Sequence, residues 1–211
     1  MLRLSDLPST VRLVLFDLGG VVCHFDPVSR LRALAALAPH GALTPETVHA
    51  RLWESGFSER ADRGAYTDAE MIAFIKPALG IQAGAAAIRA AWVTAFAPDP
   101  AVLTLIDTLR QRVRVGLLTD NPPLLRIALD ARYPDLLARF DPALFSHEFG
   151  ALKPAPALFR AVRARVGLAA EAVLLVDDNA GNVAGARAAG MRAILYPSAG
   201  LRDAEHDAYL N

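Results

Sequence analysis

Residues that can carry out phosphoryl transfer occur in this sequence where strand-like runs end. Asp17 follows one apolar run, Thr119 ends another, and the pair Asp177 and Asp178 ends a third. Lys153 lies in a loop that follows a further short run. Because parallel strands direct their carboxyl ends to one edge of a sheet, these side chains can converge there. A carboxylate nucleophile, a hydroxyl donor, a cation and two further carboxylates form a set that suits phosphoryl transfer.

The acidic pair indicates a divalent cation. Carboxylate oxygens are hard ligands, and Mg²⁺ is usually held by one or two of them together with waters and a substrate phosphate. Without a metal, the carboxylates of Asp17, Asp177 and Asp178 would repel one another and raise one another's pKa. The sequence therefore predicts a Mg²⁺ site at this edge.

The residues that must place Asp17 form a strand followed by a sharp turn. Residues 12–16 are mostly apolar, a pattern typical of a strand that is buried on both faces of a parallel sheet. Gly19 and Gly20 follow, and glycine lets the backbone leave sharply and approach a ligand closely. An ordinary strand before an Asp/Gly turn has the same pattern, so the interpretation depends on the later strand ends.

The second half of the chain alternates strands with helices, which is typical of a parallel sheet with helices on its faces. A helix that begins after Asp99 is predicted to run to about Arg112. Strands are predicted over residues 113–118, 144–146, 172–176 and 192–196, and further helices over residues 124–133, 157–166 and 182–189.

Residues 24–96 have a different pattern, in which helices follow one another and no strand is predicted. Residues 23–27 are predicted to form a turn, with Asp26 capping the next helix. Helices are predicted over residues 28–38, 44–53, 67–80 and 85–96, the third beginning with a capping box of Thr67 and Glu70. Four helices inserted after one strand predict a small helical cap domain.

Composition excludes several classes of protein. The 211 residues are 54% hydrophobic, and Lys+Arg and Asp+Glu are equal at 22 each. A large core is therefore expected, and a net charge of +0 gives no electrostatic footprint for nucleic acid or an anionic membrane. Cys23 is the single cysteine, which excludes an internal disulfide and any multi-cysteine metal site. No signal-peptide pattern or bilayer-spanning run is evident, and we expect a soluble cytoplasmic protein.

Four segments, in order, resemble the motifs of haloacid dehalogenase superfamily hydrolases. They are Phe16-Asp17-Leu18-Gly19-Gly20-Val21-Val22, Leu118-Thr119-Asp120, Lys153-Pro154 and Val176-Asp177-Asp178-Asn179. The resemblance covers the whole chain, and residues 62–67 and 177–182 are most similar to bacterial sugar-phosphate phosphatases of the glucose-1-phosphatase type. It implies an α/β fold: a Rossmann-like, doubly wound parallel sheet in residues 1–23 and 97–211, with a helical-bundle cap domain in residues 24–96.

The resemblance also implies an activity, the Mg²⁺-dependent hydrolysis of small phosphorylated metabolites such as sugar phosphates. Asp17 would attack phosphorus and carry an aspartyl-phosphate. The carboxylates of Asp17 and Asp178 and the backbone carbonyl of Gly19 would bind Mg²⁺. Asp177 and Asn182 would support the metal site.

The remaining motif residues would hold the transferring group, if the resemblance is carried over residue by residue. Thr119 and the backbone amide of Asp120 would bind the phosphoryl oxygens. Lys153 would offset negative charge on Asp17 and on the phosphoryl group. The small phosphorylated substrate is the one partner expected.

Two further residues could contact the substrate. His24 follows the first motif at the entry to the cap, where a structural or solvent-facing role is the stronger interpretation. Arg63 lies in a segment that either ends a helix or faces the substrate from the cap. The sequence leaves both choices open.

One position departs from the superfamily's pattern. Most of its phosphatases carry an aspartate two residues after the nucleophile as general acid and base, and this chain has Gly19. General acid–base help contributes about 10²–10⁴-fold, so its absence favours substrates with good leaving groups, such as anomeric phosphates. Asp120 stands where asparagine is usual and could supply a substitute carboxylate.

Two other functions are compatible with these motifs. A 2-haloacid dehalogenase expels halide, which needs no protonation, although that chemistry uses no metal and the acidic pair suits one. A non-catalytic binding protein could have kept the fold after losing the acid. Release of phosphate or chloride, with and without Mg²⁺, separates the three.

Overall fold

A five-stranded parallel sheet forms the centre of the computed structural model, which describes residues 7–39 and 43–197. Its strands are β1 (Leu13–Phe16), β4 (Arg114–Thr119), β5 (Ala143–Phe145), β6 (Val173–Asp177) and β7 (Arg192–Leu195), in the spatial order β5-β4-β1-β6-β7; β2 (Cys23–Phe25) and β3 (Phe96–Pro98) form a separate ribbon. The predicted parallel sheet is confirmed. Residues 1–6 and 198–211, at the ends of the predicted core domain, lie outside the described residues.

The central strand, β1, is buried on both faces. Phe16 lies opposite Leu117 of β4 on one side and Val176 of β6 on the other, in parallel register. All four side chains of β1 are fully buried, as its continuous apolar run predicts. This register brings the polar residues after the three strands to one edge of the sheet.

Five α-helices lie between β2 and β3 in the part of this segment that the structure describes, and we call them together the helical insert. They are α1 (Pro27–Ala35), α2 (Pro45–His49), α3 (Phe57–Asp62), α4 (Asp68–Leu79) and α5 (Ala85–Val93). The predicted N-terminal caps are present, since Asp26 accepts from the backbone N–H of Ser29 and Thr67 and Glu70 form a capping box. The division into domains at 23/24 and 96/97 falls within the β2–β3 ribbon, and we retain it as a proposal.

The sequence prediction is wrong at three places around the insert. Residues 23–25 form β2 rather than a turn, and they pair antiparallel with β3, Phe25 opposite Phe96. Strands of three residues are too short to show a period of two. The prediction also omits α3, and α2 continues as a π-helical turn, Ala50–Glu54, rather than as one α-helix to residue 53.

Helices cover both faces of the sheet. Up to residue 197, four α-helices follow β3: α6 (Pro100–Leu109), α7 (Pro123–Arg132), α8 (Pro156–Val166) and α9 (Ala180–Ala188). Val14 and Phe16 pack into an apolar cluster with α6, α7 and the helical insert, whereas Leu13 and Leu15 pack with α8 and α9. Alternate residues of β1 therefore serve two cores, which confirms the doubly wound α/β fold. None of the described helices has the length and apolar character of a membrane span.

Candidate active site

Asp17 lies directly after β1 with its carboxylate held at two points. Its backbone N–H donates to the carbonyl of Val176 at 2.9 Å, which extends the ladder between β1 and β6. Oδ1 accepts from the backbone N–H of Leu18 at 2.7 Å, and Oδ2 lies 3.0 Å from Nζ of Lys153. The side chain keeps 14% exposure. One carboxylate is thus fixed at the sheet edge and remains open to solvent.

The electrostatics around Asp17 are dominated by negative charge. Burial raises the pKa of Asp17 to about 7, with Lys153 opposing and Asp177 and Asp120 adding to the rise. A single ammonium group therefore does not balance the carboxylates around it. A cation at this edge would favour the ionised form of Asp17 that a nucleophile requires.

Lys153 is the buried cation of the site, with its side chain 1% exposed. Its Nζ lies 3.0 Å from Oδ2 of Asp17 and 2.7 Å from Oδ2 of Asp177, and donates to the carbonyl of Leu118 at 3.3 Å. Burial alone would lower the pKa of Lys153, but Asp17, Asp177 and Asp120 outweigh it and raise that pKa. Lys153 therefore stays charged at the centre of the carboxylates.

Asp177 and Asn182 hold Lys153 in place. Asp177 is fully buried and accepts hydrogen bonds from the backbone N–H of Asn179 and, at 3.0 and 3.2 Å, from Nδ2 of Asn182. The sequence interpretation gave both residues a supporting role at the metal. In the structure Asp177 contacts Lys153 directly and Asn182 contacts Asp177, and the supporting role at the metal stays a prediction.

Three carboxylates lie close enough to share a metal ion. Asp17, Asp177 and Asp178 each offer one oxygen, and these atoms lie within 4.8 Å of one another. Asp177 is buried whereas Asp17 and Asp178 are partly exposed, so Asp17 and Asp178 are better placed to receive an ion from solvent. Hard oxygen donors in charge excess over the one lysine fit a divalent cation.

Gly20 allows Asp178 to reach this position. Its φ of +79° is left-handed, and a Cβ there would lie 2.1 Å from Oδ2 of Asp178. Any side chain would displace the carboxylate. The sequence analysis expected the backbone after Asp17 to approach a ligand closely. At Gly20, the group that the backbone approaches closely is the carboxylate of Asp178.

Thr119 and Asp120 lie at the end of β4, as predicted. Thr119 is buried, and its Oγ1 accepts from Nδ2 of Asn121 at 2.7 Å. The carboxylate of Asp120 accepts from the backbone N–H of Lys153 at 3.0 and 3.2 Å. Burial raises the pKa of Asp120, while Lys153 lowers it. This carboxylate thus ties the Lys153 loop to β4.

An aromatic roof lies over Gly19. A Cβ at Gly19 would lie 3.3 Å from Cγ of Phe25 and 3.4 Å from Cε1 of Phe96. The two rings are packed together with centroids 5.1 Å apart. A Cβ at this position would be in tight contact with both rings, which gives a structural reason for glycine here.

The two residues expected to contact substrate differ in their placement. His24 is 62% exposed, with Nε2 3.6 Å from Oδ2 of Asp99, on the opposite face of β2 from Cys23 and Phe25. Arg63 donates to Oε1 of Glu59 at 3.0 and 3.1 Å and acts electrostatically on Asp120. Arg63 therefore lies near the site, whereas His24 faces away from the roof.

Sequence reasoning missed the roof and the residue behind it, Arg30. Phe25 and Phe96 meet because β2 pairs with β3, and Arg30 is one arginine in an amphipathic helix. No local pattern distinguishes these residues. The only usable signal would be the pairing of two short segments far apart in the chain.

Three curated relatives align with the chain. A ribulose-1,5-bisphosphate 5-phosphatase of Halopiger xanaduensis is 28% identical, with 92% of this chain and 88% of that protein covered. A phosphoserine phosphatase of Thermus thermophilus is 33% identical, with 97% and 88% covered. A phosphatase of Mycobacterium tuberculosis is 35% identical over 96 residues, which is 46% of this chain and 44% of that protein.

Solved structures share the fold. A haloacid dehalogenase family enzyme of Bacteroides thetaiotaomicron has a TM-score of 0.77 at 21% identity, over 90% of this chain and 95% of that one. That enzyme has also been solved in complex with magnesium and inorganic phosphate. A 2-haloacid dehalogenase of Pseudomonas syringae has a TM-score of 0.64 at 23% identity, over 92% and 90% of the two chains. At these identities the likeness establishes the fold alone.

The family match spans most of the chain. The model of haloacid dehalogenase-like hydrolases matches residues 11–190, a range that contains β1, the helical insert and all four motif positions. This agrees with the resemblance seen in the motifs and with the geometry at the sheet edge. The protein belongs to the haloacid dehalogenase-like hydrolases.

Proposed function

We propose that this hydrolase is a Mg²⁺-dependent phosphatase for small phosphorylated metabolites, with Asp17 as its nucleophile. The observation that carries the proposal is the placement of Asp17 3.0 Å from the buried ammonium of Lys153, within a cluster of three carboxylates. The aligned relatives are phosphatases by name, which supports the reaction class.

In the first step, a carboxylate oxygen of Asp17 attacks phosphorus while the bond from phosphorus to the leaving oxygen breaks. An aspartyl-phosphate forms, and the departing oxygen takes a proton from water. Lys153 favours the ionised form of Asp17 and offsets charge on the phosphoryl oxygens. Water then attacks phosphorus, which restores the carboxylate and releases inorganic phosphate.

The same edge of the sheet supplies groups for the metal and the phosphate. Asp17, Asp178 and the carbonyl of Gly19 would hold Mg²⁺, which when bound neutralises charge on the nucleophile and the phosphoryl group. Thr119 and the backbone amide of Asp120 would hold phosphoryl oxygens at the end of β4.

The preferred substrates follow from the roof over Gly19. With Gly19 in place of the usual acid and aromatic rings packed over it, the leaving oxygen has no neighbouring carboxyl group at that position. Phosphates on acidic oxygens, such as sugar 1-phosphates, should therefore react faster than phosphates on ordinary alcohols.

Asp17→Asn tests the nucleophile directly. We expect phosphate release to fall below about 1% of the wild-type rate, since an amide is a poor nucleophile. Activity should also disappear in excess chelator and return with Mg²⁺. Asp130→Asn, at an exposed position of α7, is the matched control and should keep full activity. A folded Asp17→Asn protein with substantial turnover would exclude the covalent mechanism.

A dehalogenase is the second candidate, because the roof over Gly19 leaves no acid and halide needs none. Chloride release from 2-chloro acids in excess chelator, with no phosphate release from a wide panel of esters, would favour it. If neither phosphate nor chloride is released from any substrate, a non-catalytic binding protein would be favoured. The charge excess of the carboxylate cluster is the reason to place the phosphatase first.

A further inference from the structure

Asn121 contacts the hydroxyl group of Thr119 from two residues further along the chain. Its Nδ2 donates to Oγ1 of Thr119 at 2.7 Å, and the threonine is only 1% exposed. A threonine hydroxyl has one hydrogen to donate and two lone pairs that accept, whereas an amide NH₂ group can only donate. The contact therefore occupies a lone pair of Thr119 and leaves its hydrogen for another acceptor.

Thr119 lies beside the proposed nucleophile at the edge of the sheet. Phe16 of β1 pairs with Leu117 of β4, so Asp17 and Thr119 follow this pair by one and two residues. Nζ of Lys153 lies 3.0 Å from Oδ2 of Asp17 and donates, at 3.3 Å, to the carbonyl of the residue before Thr119. A phosphoryl group on Asp17 would therefore bring its oxygens to the end of β4, where the hydroxyl of Thr119 has a hydrogen to donate.

The backbone of Asn121 is held by two residues that follow β5. Its N–H donates to Oγ of Ser146 at 3.0 Å, and Ser146 is fully buried. Its carbonyl lies 2.9 Å from Nδ1 of His147, which must carry the hydrogen because a carbonyl only accepts. Both contacts are made by the main chain of Asn121, and they fix the position from which its side chain reaches Thr119.

The hydroxyl of Ser146 also reaches the helical insert. Its Oγ donates to the carbonyl of Asp62, the last residue of α3, at 2.7 Å. The insert and the residues after β5 are closely packed here, since a Cβ at Gly64 would lie 2.2 Å from the carbonyl oxygen of His147. Because the hydrogen of Ser146 goes to Asp62, its lone pairs are left to receive the N–H of Asn121. Three hydrogen bonds thus lead from the insert to the end of β4.

We propose that Asn121 is a positioning residue, which holds the hydroxyl of Thr119 as a donor to a phosphoryl oxygen. Ser146 makes this orientation depend on contact with the helical insert. The proposal rests on the proposed phosphatase function. A hydroxyl that is oriented before the substrate binds needs no reorientation during the reaction, and hydrogen bonds in a chain polarise one another. The alternative is that Asn121 only supports the turn between β4 and α7.

A double-mutant cycle separates these two roles. Asn121→Ala removes the contact with Thr119 but keeps both backbone contacts of residue 121. We expect kcat/KM for p-nitrophenyl phosphate to fall about 10-fold, since the hydroxyl keeps its hydrogen and loses its orientation. Thr119→Val should lose about 10- to 100-fold, as for a hydrogen bond to a charged group. In that background, which has no hydroxyl to orient, Asn121→Ala should cost less than about twofold.

Two results of this cycle would overturn the proposal. A similar loss from Asn121→Ala with and without the hydroxyl of Thr119 would show that the asparagine only supports the turn. An unchanged kcat/KM of Asn121→Ala would show that the hydroxyl needs no orientation.

Ser146→Ala tests the link to the helical insert. It removes the hydroxyl between Asn121 and Asp62, so we expect kcat/KM to fall about 3- to 10-fold, and less than about twofold in the Thr119→Val background. An unchanged kcat/KM, or an equal loss in both backgrounds, would overturn the role of Ser146. If Ser146→Ala does not fold, Ser146→Cys takes its place, because a thiol has a similar shape and forms weaker hydrogen bonds.

Ser55→Ala is the matched control for the serine variant. Oγ of Ser55 donates to the carbonyl of Arg51 at 2.8 Å and accepts from the backbone N–H of Phe57 at 3.3 Å. It thus makes the same two kinds of hydrogen bond as Ser146, but at an exposed position within the insert. Its kcat/KM should equal that of wild type.

Binding of inorganic phosphate separates this proposal from the phosphatase reaction. In the presence of Mg²⁺, phosphate should raise the Tm of wild type and Ser55→Ala by mass action. Asn121→Ala should need more phosphate for the same rise, and Thr119→Val should need as much as the double variant. If no ester is hydrolysed but phosphate binds in this pattern, the phosphatase function fails and the positioning role stands. In an active enzyme, additive losses overturn the positioning role alone. If there is neither hydrolysis nor phosphate binding, both proposals are overturned.

Discussion

Two adjacent residues without side chains shape the active site in opposite directions. Gly20 leaves room for Asp178 on the metal side, and Gly19 leaves room for Phe25 and Phe96 on the leaving-group side. The sequence predicted a close approach of backbone to ligand after Asp17. It could not predict which groups approach, because Asp178, Phe25 and Phe96 reach the turn from three other segments.

Replacement of Gly20 by alanine should disturb the metal site beyond its backbone cost. An L-residue at a φ of +79° is strained by about 1 kcal/mol or more, and the new Cβ would lie 2.1 Å from Oδ2 of Asp178. We expect a lower Tm, measured by thermal unfolding. We also expect a higher Mg²⁺ concentration at half-maximal activity, measured by metal titration, because the displaced Asp178 carboxylate would bind the ion less well. Gly80→Ala, with a φ of +65° and nothing within 4 Å of its Cβ, measures the backbone cost alone. Equal effects of the two variants would contradict the role given to Asp178.

An aspartate introduced at Gly19 should act as the missing acid only if the rings of Phe25 and Phe96 leave space for its side chain. Gly19→Asp places its Cβ 3.3 Å from the ring of Phe25, so we expect reduced stability and little gain for poor leaving groups. In Gly19→Asp with Phe25→Ala, the ratio of kcat/KM for a 1-phosphate and a 6-phosphate of one sugar should narrow. The Phe25→Ala single variant is the control. If Gly19→Asp alone brings the two kcat/KM values closer together, Phe25 and Phe96 can move aside to admit the new side chain, which would contradict this prediction.

At the scale of elements, the sequence predicts the strands and helices that have a local pattern and misses those that do not. β1, β4 and β6 are continuous apolar runs that end in polar residues, and their ends were found within one or two positions. The β2–β3 ribbon and α3 were missed, because three-residue strands and a six-residue helix carry too few positions for a periodic pattern. Their existence depends on partners in the folded chain.

The contact between α9 and the Lys153 loop gives an element-scale prediction. Gly185 of α9 lies so close to this loop that a Cβ would be 2.5 Å from the carbonyl oxygen of Pro154. Gly185→Ala should push the loop away, lower stability by about 1–3 kcal/mol and reduce kcat, because Lys153 moves with its neighbour. Gly84→Ala, where a Cβ meets nothing within 4 Å, is the control. Lower stability with unchanged kcat would show that the loop moves without the lysine.

At the scale of the whole molecule, the insert packs on α7 of the core, and α3 forms a second seam with the residues that follow β5. The carbonyl of Asp62 accepts from Ser146, and Gly64, at a φ of +79°, would place a Cβ 2.2 Å from the carbonyl oxygen of His147. The motif residues of the core could be predicted because each follows its own strand. The surroundings of Arg30 could not, because its aromatic neighbours Phe25, Trp92 and Phe96 come from separate segments of the chain.

Burial of Asp62 at this seam should make stability depend on pH. Burial raises the pKa of Asp62 well above its usual value, Arg30 opposes this, and Asp120 and Glu59 add to it. The contribution of Asp62 to stability is therefore complete below its unfolded pKa of about 4 and is lost as pH rises through the folded pKa. Asp62→Asn mimics the neutral acid, so its Tm should gain on that of wild type as pH rises above the unfolded pKa of Asp62, about 4. Glu54→Gln should show no such trend, and a constant difference for Asp62→Asn would contradict the burial argument.

Seen from the sheet, the helical insert is the loop of a hairpin. β2 and β3 pair from Cys23 opposite Pro98 to Phe25 opposite Phe96, and paired Cα atoms in an antiparallel ladder lie about 4.5–5.5 Å apart. The core thus holds the ends of the insert at a spacing that a short turn could also bridge. The entropy of loop closure rises by only about 0.6 kcal/mol for each doubling of length. Loop closure therefore sets little limit on the length of a segment between Phe25 and Phe96, and what a replacement must supply is an apolar face to cover the core residues against which the insert packs.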